Sequence, residues 1–119
     1  MNSAEFRREL IKIMPGYAWT VHKSSNPAGH QSATGTQSSG FNRLSTLKVT
    51  RRVRDGSVDY ETKSAGNGTK ARWAHISHSG TLARSLRGLQ SHYEREAAEL
   101  HCLASRLKSG RTAADNTAT

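Results

Sequence analysis

Cysteine is nearly absent: Cys102 stands alone in 119 residues. No intramolecular disulfide is possible, which fits a reducing cytoplasm, and structural zinc, which usually takes several cysteines among four ligands, has too few of them. Aromatic residues make up only 6% of the chain and hydrophobic residues 34%, low for a fully packed domain, so a small core with disordered margins is expected. No apolar run approaches the length of a membrane span. The opening segment MNSAEFRRELIKIM interleaves charges with its apolar residues, unlike the continuous apolar centre of a signal peptide. Acids are scarce too, 9 against 18 bases, leaving a net charge of +9. With a sequence pI near 10.5, nucleic acid or a protein that carries or mimics it becomes the first class of partner to consider.

The chain length suits one domain. Asn2 or Ser3 can cap a first helix, with Glu5 in its first turn and Phe6, Leu10 and Ile13 at i, i+4 and i+7; Pro15-Gly16 ends it. In YAWTVH, Tyr17, Trp19 and Val21 alternate with Ala18, Thr20 and His22 as in a half-buried strand. Residues 23–42 are rich in Ser, Gly, Thr, Asn and Gln and predict a long flexible loop, with Phe41 docking back on the core. LKVTRRVRDGSVDYETK holds two alternating runs around Asp55-Gly56, the signature of a type I′ hairpin. A two-residue loop pairs Arg54 with Ser57, Val53 with Val58, Arg52 with Asp59, Arg51 with Tyr60 and Val49 with Thr62. Leu47, Val49, Val53, Val58 and Tyr60 then share the core face, while Lys48, Thr50, Arg52 and Arg54 share the other, partly offset by Asp59 and Glu61. Arg51 falls on the apolar side, to stack on Tyr60 or to mark where burial stops. A long helix is expected from about Thr81, its N-cap, to about Lys108, on the spacing of Leu82, Leu86, Leu89, Tyr93, Leu100, Leu103 and Leu107. Gly88 inside it implies a close approach to the sheet. Residues 109–119 read as a disordered tail.

SAGNGTKARWAHISHSGT (Ser64 to Thr81) invites a catalytic reading that its spacing refuses. His75 and His78 have no carboxylate close to them in sequence. GNGTK places Thr69 before Lys70, where a phosphate loop needs G-x-x-x-x-G-K-[ST]. His92 and Glu96 at i, i+4 make a local pair, and His101 and Cys102, adjacent on a helix, diverge by about 100°. No enzymatic activity, metal or cofactor is expected. The stretch reads as an irregular crossover to the long helix, with Trp73 either a core plug, the stronger reading, or an exposed anchor for a base.

The bases offer more. Between Arg43 and Arg72 eight bases face three acids. Arg84, Arg87 and Arg95 fall with Ser91 along one stripe of the long helix, which serves either as its solvent side or as a phosphate-tracking surface.

Two resemblances add to this. The order helix, three strands, helix, with NPAGH (Asn26 to His30) and GNGTKAR (Gly66 to Arg72), is loosely similar to the double-stranded-RNA-binding domain. In that family the first loop reaches a minor groove and basic residues, here Lys70 and Arg72, hold phosphates across the major groove. TGTQSSGFNRLSTLKVTRR, SAGNGTKA and GTLARSLRGLQSHYE resemble small proteins encoded in tailed phages and prophages of proteobacteria. That likeness implies a setting, the cytoplasm of an infected bacterial host, in which such proteins bind nucleic acid or block a defence complex such as a CRISPR effector.

The resulting expectation is an α+β domain over residues 1–108, α-β-β-β-α, with a three-stranded antiparallel sheet packed against a short N-terminal and a long C-terminal helix. It is expected to bind nucleic acid or a host ribonucleoprotein through Arg52, Arg54, Lys70, Arg72, Arg84, Arg87 and Arg95. The alternative is a protein-directed inhibitor acting through the long helix and the 23–42 loop. A homodimer through the C-terminal helix is a further expectation, and no membrane association is foreseen.

Overall fold

The computed structural model describes residues 1–117, with side chains as far as Thr112. In chain order the elements are α1 (Ser3–Ile13), β1 (Ala18–Val21), β2 (His30–Ser39), β3 (Asn42–Arg54), β4 (Ser57–Ala65), β5 (Trp73–Ser79) and α2 (Leu82–Thr117). The class is α+β, but the sheet has five strands rather than three. They pair antiparallel in chain order, β1-β2-β3-β4-β5. The chain divides into two compact units, Met1–Leu89 and Gln90–Thr119.

Asn2 caps α1 through a reciprocal box. The Glu5 N–H donates to Asn2 Oδ1 at 2.9 Å and the Asn2 N–H donates to Glu5 Oε1 at 3.3 Å, satisfying two amides that would otherwise lack intrahelical partners. Phe6 and Leu10 are fully buried. The β3–β4 hairpin has the expected register throughout, from Arg54↔Ser57 to Val49↔Thr62. Asp55 and Gly56 adopt φ of +51° and +79°, the pair of positive values a type I′ turn demands. On the core face the Arg51 guanidinium carbon lies 6.0 Å from the Tyr60 ring centroid. Its Nε–H donates to the Tyr60 hydroxyl, which donates in turn to Glu9 on α1, both at 3.2 Å.

The 23–42 segment departs from the expected loop. Its second half is β2, which pairs with β1 from Ala18↔Thr36 to Val21↔Ala33 and with β3 along its whole length. The strand alternates, but its core-facing residues are Gln31, Ala33 and Gly35, too small or too polar to mark a buried face. Gly35 is required there: a Cβ would stand 2.7–2.8 Å from the Trp19 ring, so the indole occupies the space a side chain would take. Phe41, expected on the core, sits fully exposed in the two-residue turn after Ser39. Gly40 takes φ +59° there, as position one of a type II′ turn requires.

The stretch read as an irregular crossover contains β5, paired with β4 from Tyr60↔Ser79 to Ala65↔Trp73. Its core-facing residues are His75, Ser77 and Ser79, opposite Ser64, Thr62 and Tyr60, and the first turns of α2 lie close above Ser77. A Cβ on Gly88 would collide with the Ser77 hydroxyl, which accounts for a glycine in a helix interior. The buried hydroxyls of Thr62 and Ser85 lie 2.9 Å apart, and Ser85 Oγ also lies 3.0 Å from the Ser77 carbonyl and 3.1 Å from that of Tyr60. Leu82, Leu86 and Leu89 complete a core shared with Phe6, Leu10, Trp19, Ala33, Leu47, Val49 and Tyr60. Thr81 caps α2 by accepting the Arg84 N–H at 3.3 Å. The helix continues past Lys108 to Thr117, through most of the expected tail; residues 118 and 119 lie outside the described part.

Candidate functional site

Both α1 and the α2 turns of the first unit pack on one face of the sheet, so within that unit the other face is uncovered by helix. Strand registers define its rows. One runs Thr20, Thr34, Lys48, Lys63, Ile76; the next runs Ser32, Thr50, Glu61, His78; a third runs His30, Arg52, Asp59. Its charged residues are thus Lys48, Arg52, Lys63, Glu61 and Asp59, with Arg54 at the turn end.

Lys48 and Lys63 are direct cross-strand partners, an arrangement in which like charges repel and weaken the sheet. Relief is partial. Glu61 accepts from Arg52 at 3.1 Å and lies 3.5 Å from the Lys63 ammonium. Lys48 and Arg54 have no acid within ion-pair distance among the described residues. Burial pushes the Glu61 pKa up, but the Arg52 hydrogen bond and the charges of Arg52, Lys63 and His78 outweigh it and hold the carboxyl below its ordinary range. On the core side burial pushes the Tyr60 hydroxyl up, reinforced by Glu9 and opposed by Arg51.

Arg52 and Arg54, both expected from the sequence, line a concavity of about 350 Å³ with Ser57, Asp59 and His78. His78 Nδ1 is 3.4 Å from Asp59 Oδ2. At the opposite end of the sheet the β2–β3 turn and the β4–β5 loop meet, tied by the Gly68 N–H donating to the Arg43 carbonyl at 2.9 Å. A second groove, of about 550 Å³, lies between Phe41–Leu44 and Asn67–Thr69. Exposed apolar groups gather around this end: Phe41, Leu44 (43% exposed) and Trp73 (45%), with Ile76 further along β5. Trp73 is therefore not the core plug the sequence favoured. Lys70 and Arg72, exposed on the loop just before it, supply charge to the same rim.

The remaining expected residues lie elsewhere. Arg84 and Arg87 are exposed on α2, on the side of the helix turned away from Leu82, Ser85 and Leu89. They therefore do not share the open sheet face with Arg52 and Arg54. Arg95 is exposed in the second unit. Sequence reasoning missed Lys63 as a site residue, although the Asp55-Gly56 register already placed it opposite Lys48. It also passed over Arg7, Arg8, His22 and Lys23. With Ser3, Ala4 and Val21 these line a groove of about 640 Å³ beside α1.

No group of three or more His, Cys, Asp or Glu side chains among the described residues is arranged to hold a metal ion. No helix among them is long and apolar enough to cross a membrane. The chain matches no family model, no curated protein and no solved structure.

Proposed function

We propose that the protein binds nucleic acid, alone or within a host ribonucleoprotein, through the open face of its sheet and the basic, aromatic rim beside it. The observation that carries this reading is the opposed pair Lys48 and Lys63 in the middle of that face. Such a repulsion is relieved when a polyanion lies across the strands. Arg52 and Arg54 extend the positive track toward one end, and Lys70, Arg72 and Trp73 extend it toward the other. An exposed indole beside bases suits stacking on an unpaired base better than docking on a duplex. The resemblance to phage and prophage proteins supports host takeover or anti-defence as the setting, and no chemistry on the bound strand is proposed.

A mobility-shift assay with duplex DNA, duplex RNA and single strands at two salt concentrations tests the reading. Binding should weaken steeply with salt, and single strands should bind most tightly. Replacing Trp73 with Ala should cost about 1–3 kcal/mol of single-strand affinity. Absence of binding to every nucleic acid at low salt would sink the proposal. A second reading, a protein-directed inhibitor without nucleic acid, is favoured by Phe41, an aromatic side chain held fully in solvent at a turn of the 23–42 segment. Salt-insensitive capture of a defence complex, lost in Phe41→Ala, would establish it instead.

A further inference from the structure

The second unit consists of the later part of α2, and its leucines have nothing to cover them within it: Leu100 is 64% exposed, Leu103 54% and Leu107 73%. They fall at i, i+3 and i+7, the seam spacing of a coiled coil. With Tyr93 and Glu96 they set a heptad frame: Tyr93, Leu100 and Leu107 at a, Glu96, Leu103 and Gly110 at d. The g positions are then His92, Glu99 and Arg106, and the e positions include Ala97, Ala104 and Arg111. A lone helix has no tertiary burial to support it. Something must cover this stripe, and the charges say what.

We propose that the stripe pairs antiparallel with the same stripe of a second copy of this chain, in the register that places Leu100 against Leu103 of the partner subunit. In an antiparallel pair a faces d, so that register also sets Leu107 opposite the partner's Glu96 and Tyr93 opposite the partner's Gly110. The flanking g positions bring Glu99 beside the partner's Arg106 and, by the two-fold, Arg106 beside the partner's Glu99. On the other flank Ala97 meets the partner's Ala104, and these small side chains allow close approach. Sliding by one heptad in either direction opposes Glu99 to Glu99 or Arg106 to Arg106. Parallel pairing is worse: it sets two Glu96 carboxylates face to face in the seam and Arg106 against Arg111. Glu94, Glu96 and Glu99 precede Arg106, Lys108 and Arg111 along the helix, so acidic and basic halves complement each other only when the chains run in opposite directions.

Sedimentation equilibrium on the full-length, nucleic-acid-free protein tests the proposal. A reversible monomer–dimer equilibrium across the micromolar range is expected, because the seam holds few leucines. Leu103→Lys should give monomer at every concentration, with the urea midpoint of the first unit unchanged and helix loss by circular dichroism confined to the uncovered second unit. Glu99→Arg alone and Arg106→Glu alone should each weaken the dimer by about tenfold, as two exposed ion pairs turned repulsive would, and the double exchange should restore it. A monomer at every concentration overturns self-association. A dimer unaffected by Leu103→Lys places the interface elsewhere, and a double exchange that fails to restore pairing overturns the antiparallel register.

Discussion

Single side chains here hold more of the fold than their chemistry suggests, and Gly35 is the plainest instance. The Trp19 indole, whose Nε1–H donates to the Met14 carbonyl at 3.1 Å, lies over the Gly35 backbone. Gly35→Ala forces one of them to move, and should lower unfolding free energy in urea by about 1–3 kcal/mol, the usual cost of overpacking. An unchanged midpoint would mean the ring is free to shift. Glu61 is the second instance. Its folded pKa lies below its unfolded one, so its stabilising contribution is complete above the ordinary carboxylate value of about 4.3. That contribution is lost as pH falls through the depressed folded value. Glu61→Gln should therefore destabilise the protein at neutral pH and flatten the acid limb of its stability profile; an acid limb identical to that of the unmodified protein would refute the assignment. Of these two residues, Glu61 was visible beforehand as one of the acids offsetting the hairpin bases, because the Asp-Gly turn fixed its register. Gly35 was not, since its meaning depends on a tryptophan sixteen positions away.

Among the elements, legibility followed how conventional each amphipathic pattern was. The β3–β4 hairpin alternates branched apolar residues with bases and was read to the residue, including the exceptional inward Arg51. The strands β2 and β5 were missed for a shared physical reason: their inward positions are small or polar. In β2 the tryptophan supplies the bulk that Ala33 and Gly35 lack. In β5 the helix comes so close that Ser77 fills the gap, and the apolar Trp73 and Ile76 point outward. The pattern of β5 is thus the reverse of a normal strand. Ser85 is the joint of this second contact, its hydroxyl lying among Thr62, Ser77 and Tyr60. Ser85→Ala removes the hydroxyl that lies 2.9 Å from Thr62 Oγ1 and can donate to the Tyr60 or the Ser77 carbonyl, and should cost about 1–3 kcal/mol, read as a lowered melting temperature. Retention of full stability would show that the bond the Thr62 hydroxyl already makes to the Ser85 carbonyl, at 3.3 Å, suffices.

For the molecule as a whole, the charge excess was legible at once, but its distribution was not. Spacing along α2 drew Arg84 and Arg87 into one surface with Arg52 and Arg54, whereas the packing of Leu82, Ser85 and Leu89 turns the helical pair away. This separation makes the binding reading testable by region. Lys48→Ala, Arg54→Ala and Lys63→Ala together should reduce the slope of log affinity against log salt by about 0.7 per cation for single strands. Arg84→Ala with Arg87→Ala should leave it nearly unchanged. The opposite result would move the interface to the helix. Finally, strand order and chain order coincide across all five strands, and this bears on how the sheet assembles. Each strand need only find the one that precedes it, so closure of successive short hairpins carries little entropic cost. The link from Glu9 to Tyr60 spans 51 residues, a far longer loop than any hairpin closes. Kinetically, the meander is expected to zip outward from the Asp55-Gly56 turn, with docking of the first helix as the late step.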